Sequence, residues 1–177
     1  MSYELKKPYT DEERMNFIVR YNHQEGLRTE ETDLYLFALE KNEIMGEKEV
    51  EGEIIPYPVI DPYWEQEQAD KREADFKSKF FNIVGYGWYR RQPKGYSSAI
   101  ESLNTAFNSF TVMQQTGIEN FPANVFIFYQ EPDFTKPEEC TEEWLVAHQT
   151  KNKAMTVQEF GTFYTTFANT WNAEEHE

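Results

Sequence analysis

The stretch IVGYGWYRR, residues 83–91, decides how the second half of this chain is read. Two β-branched residues lead into three aromatics spaced by glycines, and the run closes on paired arginines. The pattern predicts a strand, because aromatic and β-branched side chains fit a pleated surface. Side chains alternate along a strand, so Tyr86, Trp88 and Arg90 fall on one face and Gly87, Tyr89 and Arg91 on the other. QPKG, residues 92–95, then reads as a turn.

Downstream, Ser97 or Ser98 caps a helix in which Ala99, Leu103, Ala106, Phe110 and Met113 recur at helical spacing, joined by Ile100 and Phe107. Gly117 ends it. NVFIFYQ, residues 124–130, reads as a continuous apolar, central strand. Thr141 opens a short helix bearing Trp144, Leu145 and His148. Thr156 and Glu159 have capping-box spacing. After them Val157, Phe160, Tyr164, Phe167 and Trp171 form an aromatic seam, suited to a core or to a helix–helix interface with another chain.

Upstream, Asp61 caps and Pro62 occupies the first position of a long polar helix reaching about residue 81. Its apolar residues, Tyr63, Ala69, Phe76 and Phe80, make a thin seam, as in a solvated element or a spacer. Thr10 and Glu13 form another capping box, with Asp11, Glu12 and Glu13 at the positive end of the helix dipole. That helix spans about residues 11–25, with Met15, Ile18, Val19 and Asn22 sharing a face. LYLFALE, residues 34–40, reads as a strand. GEKEVEGEIIPYPVIDP, residues 46–62, reads as an edge hairpin or connecting arm, since Pro56 and Pro58 exclude a central strand. The expected fold is α+β: four to five helices with a small, mainly antiparallel sheet from strands near 34–40, 83–91 and 124–130, plus the long polar helix. The expected organisation is an N-terminal part (1–60), a spacer helix (61–82) and a C-terminal α+β module (83–177) packed with the first.

The charge is uneven. Residues 1–75 hold 20 acids and 9 bases, residues 76–130 hold 2 and 5, and residues 131–177 hold 10 and 3, for a net −15. A net anionic chain disfavours encounter with nucleic acid or an anionic membrane. No run approaches the ~18 apolar residues of a membrane span. The start, MSYELKKPYT, lacks the apolar stretch of a signal peptide. The single cysteine, Cys140, excludes an internal disulfide and fits a reducing compartment. The expectation is a protein that folds in a reducing cytoplasm, with neither nucleic acid nor membrane as partner.

Sites of chemistry were sought in the same residues. Gly85 and Gly87 give G-x-G, but Arg90 stands where a dinucleotide loop has its third glycine, and Lys94 precedes Gly95 instead of following a glycine. Aromatics beside cations suit single-stranded nucleic acid, yet the surrounding charge opposes it. The bland reading is an aromatic strand whose arginines pair with local carboxylates. His23, His148 and His176 lack metal-ligand spacing, and the acids of residues 47–53 lack that of a calcium loop. His148 reads as a hydrogen-bonded core histidine. Cys140 lies in EECTEE, where neighbouring acids raise a thiol pKa. No catalytic residue, cofactor or metal ligand is expected. The candidate interface residues are Trp88, Tyr89, Arg90, Arg91, Phe160, Tyr164, Phe167 and Trp171.

KKPYTDEERMNFIVRYNHQEGLRTEET (6–32) and LYLFALEKNEIM (34–45) resemble the N-terminal part of small uncharacterised proteins encoded in the tail region of phages and prophages of Gram-positive gut bacteria, near tail-fibre and holin genes. FFNIVGYGWYRRQPKGYSSAIESLNTAFN (80–108) through EFGTFYTTFANTWN (159–172) resembles the C-terminal part of some of them. The resemblance implies a non-enzymatic, virion-associated or tail-assembly role, located in the bacterial host cytoplasm during assembly or in the virion, with other tail proteins or a second copy of the chain as partner. It carries no site residues. Two alternatives accompany it: an acidic inhibitor of a host protein, and a glycan or cell-wall binding module using Trp88, Tyr89 and Trp144 as sugar platforms.

Overall fold

The computed structural model describes residues 3–24, 26–91, 101, 104–105, 107–109, 112, 120–121 and 126–174. The fold is α+β, with small antiparallel sheets. It divides into two compact units, Met1–Glu67 and Gln68–Glu177.

In the first unit, β1 (Tyr3–Lys6), β2 (Leu27–Glu31) and β3 (Tyr35–Glu40) form an antiparallel sheet in the order β1-β3-β2. The central strand β3 carries Leu36, Phe37, Ala38 and Leu39, all buried. Burial on successive residues means that both faces of this strand are covered, which is why LYLFALE lacks alternation. Helix α1 (Asp11–Asn22) covers one face. Tyr3 pairs in register with Ala38, and its ring stacks on Tyr21 of α1 at 4.8 Å. On the other face Phe37 meets Tyr57 edge-on at 5.6 Å.

The capping box of α1 is formed: the Thr10 N–H donates to Glu13 Oε2 at 2.8 Å, and Glu13 N–H donates to Thr10 Oγ1 at 3.2 Å. The inward face of α1 differs from the sequence expectation. Tyr21 is its buried residue and contacts Phe17 at 4.6 Å, whereas Met15 and Val19 are exposed. Aromatic area outweighs the aliphatic pair that shares the expected face.

Strands β4 (Glu43–Val50) and β5 (Glu53–Ile60) make a two-stranded hairpin. Its turn holds Glu51 at φ 53° and Gly52 at φ 85°, the paired positive values of a tight hairpin turn. Pro56 and Pro58 both lie in β5, which pairs with β4 as an edge strand can. Gly46 has a steric cause. A Cβ there would lie 2.5 Å from Val59 Cγ2 and 3.1 Å from Val59 Cγ1.

Helix α2 (Trp64–Lys79) is shorter than its sequence pattern suggests. Phe80 and Phe81 leave the helix and open β6 (Phe80–Ile83). The run 83–91 is not one strand. It turns at Val84–Tyr86, and β7 (Gly87–Arg90) folds back antiparallel on β6. The signal lay in the glycines: Gly85 has φ +85° and Gly87 φ +128°, and Tyr86 N–H donates to Ile83 O at 2.9 Å.

The second unit continues with β8 (Asn120–Phe121), β9 (Ile127–Tyr129), a 3-10 turn (Pro137–Cys140), α3 (Glu142–Ala147), β10 (Gln149–Lys151), β11 (Met155–Thr156) and α4 (Val157–Ala173). Its main sheet has the order β10-β9-β7-β6, and β8 pairs with β11. β9 is central, but its strand is three residues long. QPKG, Ser97, Ser98, Ala99, Ile100, Leu103, Ala106, Phe110, Met113 and Gly117 lie outside the described residues. Glu101, Asn104, Thr105, Phe107–Ser109 and Val112 are helical.

Both faces of the main sheet are packed. On one, Phe81, Ile83, Phe126 and Phe128 meet Phe160, Phe163, Phe167 and Trp171 of α4. On the other, Phe80, Trp88 and Tyr129 pack with Phe76 of α2, Phe134, and Trp144 and Leu145 of α3.

Gly46→Ala is expected to destabilise the hairpin by about 1–3 kcal/mol, as overpacking against a stiff β-branched side chain does. Adding Val59→Ala should restore part of the loss in chemical denaturation. A second expectation concerns Glu31, which accepts from Tyr9 Oη at 2.6 Å and Arg14 Nε at 3.0 Å and pairs with Lys7 Nζ at 3.1 Å. The Tyr9 hydroxyl first, then Lys7 and Arg14, lower its pKa from 4.5 to about 2. A depressed folded pKa gives stability present above the unfolded value and lost as pH falls through the folded one. The melting-temperature gap between wild type and Glu31→Gln should therefore be full above pH 4.5 and close as pH falls toward 2.

Candidate functional site

The candidate residues occupy two places in the second unit, β7 and α4. Trp88 and Arg90 share the face of β7 turned to α2 and α3, and Tyr89 lies on the face turned to α4. Tyr86 sits in the turn and joins the α4 side, meeting Phe163 edge-on at 4.9 Å, which corrects its expected grouping with Trp88.

Each arginine of the pair is held locally. Arg90 Nη2 is 2.5 Å from Glu142 Oε1, and its guanidinium lies over the rings of Phe80 and Tyr129 at 4.9 and 5.4 Å. Arg91 Nη1 is 2.7 Å from Glu174 Oε2, and Arg91 Nε donates to Lys77 O at 3.3 Å. These contacts tie the end of β7 to the start of α3 and to the end of α4. They match the bland reading of RR, an aromatic strand with locally paired cations. Guanidinium groups also serve phosphate recognition, but here carboxylates take them.

The aromatic seam of α4 builds the core. Phe160, Phe167 and Trp171 are buried, so these three candidates lie inside their unit and not on its surface. Phe163, which the seam read from the sequence omits, is fully buried and touches Phe126 at 5.4 Å and Phe167 at 5.7 Å. Tyr164 is half-buried. It stacks on Phe107 at 4.3 Å, and its hydroxyl donates to Asn104 Oδ1 at 3.0 Å.

The proposed sugar platforms are also occupied. Trp88 meets Phe76 edge-on at 5.0 Å, and Tyr89 meets Phe167 at 5.0 Å. Trp144 carries the His148 ring stacked at 3.9 Å. His148 itself is exposed, contrary to its reading as a core residue: it follows the last turn of α3, with Nδ1 2.8 Å from Trp144 O. The helix is too short to bury it.

The Cys140 thiol pKa is raised, as its sequence neighbours suggest, but burial is the largest cause. Glu139, Asp133 and Glu138 add to it, and Arg72 opposes them. Such a thiol is mostly protonated at neutral pH and a weak nucleophile. The acids at 47, 49, 51 and 53 are exposed along the β4–β5 hairpin. Among the described residues no group of three His, Cys, Asp or Glu side chains could hold a metal ion. None of the described helices is long and apolar enough to cross a membrane.

A cavity of about 380 Å³ lies beside Tyr86, walled by Gly85, Phe128, Asn152, Met155 and Glu159 among others. Its Glu159 carboxylate and Asn152 carbonyl oxygen serve the fold, while Asn152 Nδ2 is a buried donor without a hydrogen-bond partner among the described residues. Glu159 Oε2 accepts from the Thr156 N–H at 2.7 Å, which closes the capping box of α4. Asn152 Oδ1 accepts from the Phe126 N–H at 3.1 Å, and the Asn152 N–H donates to Phe126 O at 3.3 Å. No protein-family model matches this chain, and no curated protein and no solved structure matches it either.

Phe167→Ala should cost about 3–5 kcal/mol, the range for truncating a buried phenylalanine. Arg90→Ala should cost much less, because exposed ion pairs contribute little. Equal losses in urea titrations of the two variants would contradict this division between core and surface.

Proposed function

We propose that this chain is a non-enzymatic accessory protein of a phage or prophage tail, virion-associated or active in assembly. It works through protein–protein contacts with other tail proteins or with itself. The resemblance of residues 6–45, 80–108 and 159–172 to proteins of phage tail regions suggests the setting.

The observation that carries the contact role is the β4–β5 hairpin. It exposes Ile44, Val50, Ile54 and Ile60 on two eight-residue strands. By the register Ile44 and Val50 lie on one face of the hairpin and Ile54 and Ile60 on the other, so each face presents two exposed apolar side chains that a partner could cover. The edge of such a hairpin also offers backbone groups to a neighbouring strand. By contrast, the arginines and rings of residues 88–91 already have partners within their own unit.

Mass spectrometry of particles purified after prophage induction tests the reading. Peptides of this chain should co-purify with tails in fixed ratio to a known tail protein. Replacing Ile54 and Ile60 together by glutamate should remove them from the particles without lowering the melting temperature of the isolated chain. Particles that lack the chain, and assemble normally from a lysogen in which its gene is deleted, would overturn it.

A further inference from the structure

A second concavity, of about 620 Å³, lies within the first unit. It is lined by Tyr3, Gln24, Gly26, Leu27, Glu40, Lys41, Asn42 and Trp64. It forms where the end of α1, the start of β2 and the β3–β4 turn come together. Gly26, at φ +93°, lets the chain reverse into β2, and the stem of Lys41 runs 3.6 Å from the position a Cβ would take there. Gln24 is held by its backbone: its N–H donates to Tyr21 O at 3.1 Å, and its carbonyl accepts from the Leu27 N–H at 3.2 Å. The β3–β4 turn is fixed as well. Glu43 Oε2 accepts from the Glu40 N–H at 2.8 Å, Arg28 Nη2 donates to Glu43 O at 2.7 Å, and Asn42 O accepts from the Asp61 N–H at 2.8 Å. Hydrogen bonds to backbone groups thus position the lining segments, as a binding site needs.

The chemistry of the lining narrows the ligand. Two aromatic rings, Tyr3 and Trp64, supply apolar faces, and Tyr21 stacked on Tyr3 keeps its ring in place. Two carboxamides, Gln24 and Asn42, bring paired donor and acceptor groups. Neither side chain hydrogen-bonds to any described residue. Among the described residues of the lining, one carboxylate and one ammonium, Glu40 and Lys41, stand side by side, a mixed charge that suits an uncharged ligand. The concavity is open and within the ~300–1,000 Å³ of small-ligand sites. A sugar ring has this complementary character, with an apolar C–H face and a rim of neighbouring hydroxyls that both donate and accept.

We infer that this groove binds a neutral oligosaccharide, with Tyr3 and Trp64 facing sugar rings and Gln24 and Asn42 pairing with hydroxyls. The inference is independent of the tail reading. It also places a glycan site in a different unit from Trp88, Tyr89 and Trp144.

Titration of the full ¹⁵N-labelled chain with maltotriose and with chitotriose, followed by NMR, tests it. The expected result is a saturable shift with at least one of the two trisaccharides. Shifts should centre on Tyr3, Gln24, Gly26, Leu27, Asn42 and the Trp64 indole N–H. The double variant Gln24→Ala/Asn42→Ala should keep the wild-type melting temperature and bind about tenfold more weakly. Trp64→Phe, which keeps an aromatic ring, should weaken binding less than Trp64→Ala. Three results would overturn the inference: no saturable shift with either sugar, shifts centred on Trp88 or Trp144, or unchanged affinity in the double variant. A chain present in particles that binds neither sugar refutes this inference alone, and a sugar-binding chain absent from them refutes only the tail reading.

Discussion

Adjacent residues Trp88 and Tyr89 are pinned into opposite cores. Because strand side chains alternate, one short strand anchors two layers: Trp88 against Phe76 and the α2–α3 side, Tyr89 against Phe126, Phe128, Phe167 and Trp171 of the α4 side. The order β10-β9-β7-β6 makes β7 an interior strand, so the rest of the second unit is arranged around this pair. The ring contacts are mostly tilted or edge-on, the geometry that aromatic quadrupoles favour. Gly87 completes the constraint, since a Cβ there would lie 3.3 Å from both Phe128 Cβ and Tyr129 O. The β7–β9 approach thus needs a residue without a side chain next to two very large ones.

Given that arrangement, the basic residues of the same segment follow. Arg90 and Arg91 emerge at the strand end on opposite faces and reach Glu142 and Glu174, carboxylates near the start of α3 and the end of α4. A strand that looks like a nucleic-acid surface in composition is a clamp for its own helices. In the first unit a related logic joins Lys7, Tyr9 and Arg14 to one carboxylate, Glu31, so the segment before α1, the helix and β2 meet at a single acceptor group.

What the sequence made legible depended on range. Thr10–Glu13 and Thr156–Glu159 are local devices, and both capping boxes form as their spacing implies. For residues 46–62 the glycines and prolines left an edge hairpin and a connecting arm both open, and the structure shows a hairpin that begins at Glu43. The turn inside 83–91 was hidden because the aromatic and β-branched residues around Gly85 and Gly87 read as one strand, and the positive φ of those glycines shows only in the backbone. The end of α2 was hidden because Phe80 continues its helical spacing, and only the pairing of Phe80 with Arg90 shows it to be strand. Phe163 escaped the seam of α4 because a 3-4-3-4 stepping was already satisfied by Tyr164. Arg90 and Arg91 were picked out by composition, and their carboxylates lie more than 50 residues away. The groove of the first unit had no sequence signature, since Gln24, Asn42 and Trp64 meet only through the tertiary turns.

Asn152 has a consequence of its own. Its carboxamide stands in for a peptide group, accepting from Phe126 as a partner strand would, so the ladder beside β9 is closed by a side chain at the point where the backbone departs. The Phe126 N–H is thereby satisfied where the chain leaves the pleat, while the carboxamide's own Nδ2 donor stays buried without a hydrogen-bond partner among the described residues. Residues 153 and 154 lie between β10 and β11 and belong to neither strand, so the sheet's alternation stops at Asn152.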